Sequence, residues 1–182
     1  RNYALAEMEF ENGGATIYHK TEYRERRNHF AVYSVNTEVD GYDTSREAFI
    51  GLYNGFGNPD VVMNDKPTGS DAHGWAPIAS HCIRRTLQPG ETVSFVFVLG
   101  FCENPVDKKF VAPGVINKEP AHALLKEFQT DEQFEAKLAE LKAYWQQLLS
   151  HFHIESGDEK LNRQVNLWNQ YQCMVTFNMS RS

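Results

Sequence analysis

The feature that most narrows the folds open to this chain is a change of hydrophobic period near Asn117. Before it, apolar residues recur at every second position, and after it at every third or fourth. Period two belongs to strands with one buried face, the longer period to amphipathic helices. Tyr3 and Leu5 begin one strand; Met8 and Phe10 follow on the opposite phase, which predicts a bulge near Glu7 ahead of a turn at Asn12-Gly13-Gly14. Ala15 and Ile17, then Phe30 to Val35, mark further strands, and Ala48, Ile50 and Leu52 another. A hairpin is expected from Ile83 to Phe101, turning at Pro89-Gly90. Its second arm, Thr92 to Leu99, is apolar on both faces after Ser94, as in a strand covered by two layers of a sandwich. The Gly-, Pro- and Asp-rich stretch from Asn54 to Pro77 is too long for a plain connection and reads as a functional loop.

Beyond Asn117, Pro120 stands where the first turn of a helix tolerates it, and Ala121, Leu124, Leu125 and Phe128 share a face. Thr130-Asp131-Glu132-Gln133 has the form of a capping box, opening a long amphipathic helix through Phe134, Leu138, Leu141, Trp145, Leu148 and Phe152. Ser156-Gly157-Asp158-Glu159 predicts a second box and a further helix along Leu161, Val165, Trp168, Val175 and Met179. Its Asn166, Asn169, Gln170 and Gln172 are more amides than a plain surface face needs, so partners are expected for them. The chain opens on Arg1-Asn2-Tyr3 and closes on Ser180-Arg181-Ser182 without a starting Met or a terminating cap, and reads as an internal piece of a longer protein.

A chain of 182 residues, 41% of them hydrophobic, can bury a substantial core. Its formal net charge of −6 leaves no broad basic surface for nucleic acid. The longest apolar run, Val93 to Phe101, is too short to cross a bilayer, so no membrane partner is expected. Cys82, Cys102 and Cys173, odd in number and widely spaced in apolar surroundings, read as reduced, buried thiols of a cytoplasmic protein. The seven histidines share no ligand spacing; His151 and His153, two apart, diverge on a helix. No metal or cofactor site is expected. Tyr18 to Phe30 is the densest run of alternating charge, and reads as a solvated edge strand or loop in preference to an ordered contact surface. Trp75 is a candidate for stacking on a sugar, with a loop anchor the equal alternative.

Two long stretches, Tyr18 to Arg27 and Leu161 to Ser182, resemble the inverting disaccharide phosphorylases typified by cellobiose phosphorylase, of the glycoside hydrolase 94 type. Phe49-Ile50-Gly51-Leu52-Tyr53-Asn54-Gly55-Phe56 and Gly74-Trp75-Ala76-Pro77-Ile78-Ala79-Ser80-His81 agree as well, so the similarity runs along essentially the whole chain. The resemblance implies a β-rich plus α fold: residues 1–110 as the rear part of an antiparallel β-sandwich, 111–155 as a helical linker and 156–182 as the first helix of an (α/α)6 barrel.

The reaction implied is reversible phosphorolysis of cellobiose to α-glucose 1-phosphate and glucose, with inorganic phosphate as a substrate and no cofactor. Phosphate is already an anionic nucleophile, so one carboxylic acid suffices where an inverting hydrolase needs two carboxyl groups. The resemblance puts that acid and the phosphate-binding residues beyond Ser182, so this chain alone is expected to be inactive, with no catalytic residue of its own. It implies that Arg1, with Asn2 and Tyr3 beside it, contacts the acceptor sugar, as a guanidinium fork suits paired hydroxyls. Ser180 and Arg181 would lie toward the active-site face, and the protein would be a homodimer. The alternatives are a sister phosphorylase for chitobiose, laminaribiose or cellodextrins, or a non-catalytic carbohydrate-binding or dimerisation module.

Overall fold

The computed structural model describes residues 5–20 and 27–180, with the backbone alone for Leu5, Ala6 and Trp75. They form two compact units, residues 1–134 and 135–182. The first is built on a five-stranded antiparallel sheet containing β1 (Leu5–Glu11), β2 (Thr16–Lys20) and β3 (His29–Val35). A two-stranded sheet of β4 (Gly41–Ser45) and β6 (Pro77–Cys82) lies against one face of it, after the short helices α1 (Arg46–Ile50) and α2 (Asp60–Met63) and the two-residue strand β5 (Gly74–Trp75). β7 (Phe97–Glu103) completes the large sheet, whose order is β5-β1-β2-β3-β7. The hairpin of β8 (Phe110–Ala112) and β9 (Val115–Ile116) and helix α3 (Glu119–Lys126) follow.

Alternation decides what each face of the large sheet buries. Tyr18, Phe30, Val32 and Cys102 pack with Ile116 and Ala121, and with Leu124 and Leu125 of α3. On the other face Met8 and Ile17 pack with Phe10, Tyr33 and Tyr42, so the small sheet is a second layer. Tyr33 stacks on His81 at 4.7 Å, and Phe10 meets Tyr42 at 4.9 Å.

Several expectations change. β1 keeps one continuous register against β2 from Glu7 to Glu11, so there is no bulge at Glu7; the break in phase falls where β1 changes partner, Leu5 pairing with Trp75. Ala48 and Ile50 lie on α1, capped by the Ser45 hydroxyl, and are not in a strand. The turn at Pro89-Gly90 is present, with Gly90 at φ +85° and the Glu91 N–H donating to the Gln88 carbonyl. Its arms do not pair with each other. β6 pairs with β4 and β7 with β3, so residues 83–96 cross between the layers. Arg84 and Arg85 tie this crossing to Asp65 and to Thr37. The second arm is therefore covered on one face only, and Leu99 is 78% exposed on the other. Tyr18 and Lys20 are buried on an interior strand and are not part of a solvated edge; residues 21–26 lie outside the described residues. Cys102 is buried as expected, but Cys173 is exposed on its helix.

A carboxylate fixes the layer under α3. Glu9 accepts from the ammonium of Lys20 at 3.0 Å, from the backbone N–H of Ile116 at 3.1 Å, and from Lys118. Lys20, only 5% exposed, also donates to the Gly114 carbonyl and reaches Glu7 at 3.1 Å. Burial alone would raise the pKa of Glu9, but these donors outweigh it and the net shift is downward. Lys20 shows the converse: burial pulls its pKa down, Glu9 and Glu7 push it further up.

Helix α4 (Asp131–Leu149), most of which belongs to the second unit, starts from the expected box, Thr130 Oγ1 accepting from Gln133 N–H and Gln133 Oε1 from Thr130 N–H. The last helix is capped by Asp158, whose carboxylate accepts from Lys160 and Leu161, and not by Ser156. It runs as α5 (Glu159–Arg163), a π-helical turn (Gln164–Asn169) and α6 (Gln170–Met179). Asn162, Asn166 and Gln170, at intervals of four, hydrogen-bond the backbone of Ser156, Ile154 and Phe152. These three amides are thus satisfied within the chain, lashing the preceding connection to the helix.

Replacing Glu9 by Gln should lower stability by about 3 kcal/mol, because it leaves a buried ammonium short of a carboxylate; the shift of the urea midpoint measures it. A separate acid sensitivity follows from His19 and His81, whose pKa values burial holds below 6.5. His81 Nε2 meets the Gly14 carbonyl at 2.9 Å, while His81 Nδ1 and His19 Nε2 are buried without partners among the described residues. Because burial disfavours the charged form of both imidazoles, their contribution to stability is complete above pH 6.5 and declines as pH falls toward their lowered values. His19→Leu should flatten the decline of melting temperature with pH over that window, and an unchanged slope would count against this origin.

Candidate functional site

The family-like stretches Phe49 to Phe56 and Gly74 to His81 bound one segment, the expected functional loop. The structure makes it an ordered strap. Asp43, fully buried on β4, accepts from the backbone N–H of Thr68 at 3.1 Å, from Ser70 N–H at 3.2 Å and Ser70 Oγ at 2.7 Å, and from the Thr68 hydroxyl. Beside it Thr44 Oγ1 donates to the Ser70 carbonyl at 2.8 Å and accepts from Ala72 N–H at 2.9 Å. The small sheet therefore holds residues 68–72 along its edge through these side chains together with two backbone bonds, Thr44 N–H to the Ser70 carbonyl at 3.0 Å and Gly69 N–H to the Tyr42 carbonyl at 3.0 Å.

The front of the strap is built to present aromatics. α1 ends at Gly51, φ +84°, where a Cβ would lie 1.9 Å from Asp60 Oδ2. Asp60 accepts from the Asn54 amide at 2.7 Å and closes the turn. At its tip Tyr53 takes a positive φ of 66°, uncommon for a bulky residue, and is fully exposed. Phe56 is also exposed, with the Arg46 guanidinium 5.3 Å from its ring centre. Exposed rings held by a rigid, strained turn suit contact with the apolar face of a sugar or with another protein surface.

Arg1, Asn2, Tyr3, Tyr23 and Arg181 lie outside the described residues, as does the side chain of Trp75. The backbone of Trp75 pairs with Leu5, four positions after Arg1. Ser180 closes α6, its hydroxyl donating to the Phe177 carbonyl at 3.1 Å. Among the described residues no three His, Cys, Asp or Glu side chains gather to hold a metal ion, and no helix is long and apolar enough to cross a membrane. Asp43 was not singled out from sequence, because nothing in its spacing distinguishes a buried carboxylate from a surface one. Tyr53 lies within the family-like stretch Phe49 to Phe56, but its exposure depends on the turn.

Residues 1–131 match the family described as glycosyl hydrolase 94, supersandwich domain, and residues 144–182 the catalytic domain of the glycosyl hydrolase 94 superfamily. The chain belongs to the glycosyl hydrolase 94 family, with the supersandwich domain followed by the start of the catalytic domain. It is 28% identical to the N,N'-diacetylchitobiose phosphorylase of Vibrio proteolyticus, over 76% of this chain and 16% of that protein. With the 3-O-beta-D-glucopyranosyl-beta-D-glucuronide phosphorylase of Paenibacillus borealis it shares 25% identity over 79% of this chain and 17% of that protein. A third relative, the cyclic beta-(1,2)-glucan synthase NdvB of Rhizobium meliloti, is 28% identical over 84% of the chain and 5% of its own length. The chain thus spans under a fifth of the length of these relatives.

Asp43→Asn would set its amide N–H₂ against the N–H of Thr68 and, in the flipped orientation, against that of Ser70 as well. It is expected to cost about 1–3 kcal/mol and to open the strap, so that limited proteolysis cuts within residues 64–72 of the variant first. Equal cleavage rates in variant and parent would show that Asp43 does not hold the strap.

Proposed function

We propose that the whole protein is a disaccharide phosphorylase and that this chain supplies part of its sandwich, its helical linker and the first helix of its catalytic barrel. The observation that carries the reading is the order of the two family matches along one chain, supersandwich then catalytic domain. Support comes also from relatives named as phosphorylases of N,N'-diacetylchitobiose and of a glucosyl glucuronide. The substrate proposed is cellobiose, with those two sugars as the competing choices.

In the proposed reaction a phosphate oxygen forms a bond to the anomeric carbon of the non-reducing glucose as the glycosidic bond breaks. A single carboxylic acid gives its proton to the departing oxygen, and inversion yields α-glucose 1-phosphate and free glucose. Phosphate enters as substrate, and no cofactor is assigned. Arg1 is the residue proposed to reach the acceptor sugar, through its paired N–H donors. A homodimer in the cytoplasm is part of the same proposal, and the rigid Tyr53 turn is the described surface best suited to an intersubunit or sugar contact.

Incubating the whole protein separately with cellobiose, N,N'-diacetylchitobiose, laminaribiose and the glucosyl glucuronide, with and without phosphate, tests the reading. Phosphate-dependent release of a sugar 1-phosphate from cellobiose at the highest kcat/KM is expected. Preference for another disaccharide would replace the substrate, and release of free sugar without phosphate would replace the reaction.

A further inference from the structure

We propose that the supersandwich unit carries a saccharide site in the cleft where the ends of β2 and β3 meet the segment joining α3 to α4. The cleft has a volume of about 700 Å³, within the range of small-molecule sites.

Its walls are held independently of any ligand. Asn36 Oδ1 accepts from Val96 N–H at 2.9 Å, and its amide donates to the Gln129 carbonyl at 3.0 Å, so one side chain spans β3, the strand-crossing segment and the start of α4. The floor is polar where a sheet is normally dry. Thr16 and Ser34, 2% and 7% exposed, face each other with their hydroxyl oxygens 2.8 Å apart. Two hydroxyls own two hydrogens, and one bond between them uses one. The second has no acceptor among the described residues, and both side chains line the cleft. A buried donor left in this way costs free energy that a ligand oxygen would recover. At the rim Thr37 Oγ1 accepts from Arg85 at 2.8 Å, which turns its own hydrogen away from the guanidinium.

The class of ligand follows from what the cleft lacks as much as from what it offers. Glu38 is the sole charged side chain in its lining, and the Arg85 guanidinium at the rim is already engaged by Asp40 at 3.5 Å and by the Glu38 carbonyl at 3.1 Å, so an anion meets no uncommitted cation there. Phe128 and Val98 supply apolar wall between the hydroxyls and amides. Hydroxyl donors and acceptors beside an apolar strip fit a pyranose ring, which carries polar edges around a C–H face. The site takes a neutral saccharide, and it does so whichever disaccharide the catalytic domain cleaves.

The test is a titration of the 182-residue chain, in phosphate-free buffer, with cellobiose, glucose and N-acetylglucosamine, followed by backbone amide shifts. Saturable shifts at Ser34, Val35, Thr37 and Gln129 with a millimolar Kd are expected. The double variant Thr16→Val, Ser34→Ala should weaken binding about tenfold, as for one or two lost hydrogen bonds. Thr16→Ser, which keeps the hydroxyl, should bind as the parent does. If the double variant does not fold, Thr37→Val at the rim carries the comparison and is expected to weaken binding. Absence of saturation, shifts that map elsewhere, variants that bind unchanged, or stronger binding of glucose 1-phosphate than of glucose would each overturn the proposal. No turnover is read, so failure of the phosphorylase assignment leaves this outcome separate.

Discussion

Much of the first unit depends on the carboxylate of Glu9. A strand residue that points beneath the helical layer should be apolar, yet this one gathers two lysines and a backbone N–H from three separate segments. Lys20 brings β2, Ile116 brings the β8–β9 hairpin, and Lys118 brings the residue from which α3 starts. Burying such charges is tolerable because each finds an opposite charge or a carbonyl within hydrogen-bonding reach. The gain is positional. Once the hairpin and the start of α3 are pinned to β1, Ala121 and Leu124 fall onto the apolar core of Tyr18, Phe30 and Val32, and hydrophobic burial supplies the larger stabilisation.

The opposite face is organised by a different device, a chain that leaves one layer and enters the other. Residues 83–96 carry the polypeptide from β6 to β7, and Arg84 and Arg85 clip the crossing to loops of both neighbours. The small sheet covers the part of the large one around Ile17 and Tyr33 but leaves Leu99 and Phe101 of the edge strand β7 exposed. A related economy appears in the second unit. Asn162, Asn166 and Gln170 turn one row of a helix into a set of clamps for backbone groups of the connection before it. An irregular segment that would otherwise hold its carbonyls to water is thereby fixed.

The supersandwich unit contributes frames: a strap pinned by Asp43, a strained aromatic turn, and a cleft with an uncommitted hydroxyl. Each is suited to holding a surface in place.

The order of strands then helices, the Thr130 box and the turn at Gly90 were legible in the sequence because each rests on neighbours within a few positions. The family was legible for a related reason, since its motifs are long contiguous runs. Partners remote in sequence were not. Alternation in Ala48, Ile50 and Leu52 cannot reveal that Ser45 will cap a helix there, and the apolar second arm beyond Pro89-Gly90 cannot tell that its strand pairs with β3 instead of β6. Nor can a run of charges reveal that Lys20 will be buried against Glu9 while Asp43 collects the strap. By itself the sequence determined the order of strands then helices and the family; only the tertiary structure decided which strands paired and which polar groups became buried partners, because a hydrogen bond between residues far apart in the chain depends on packing that no local pattern encodes.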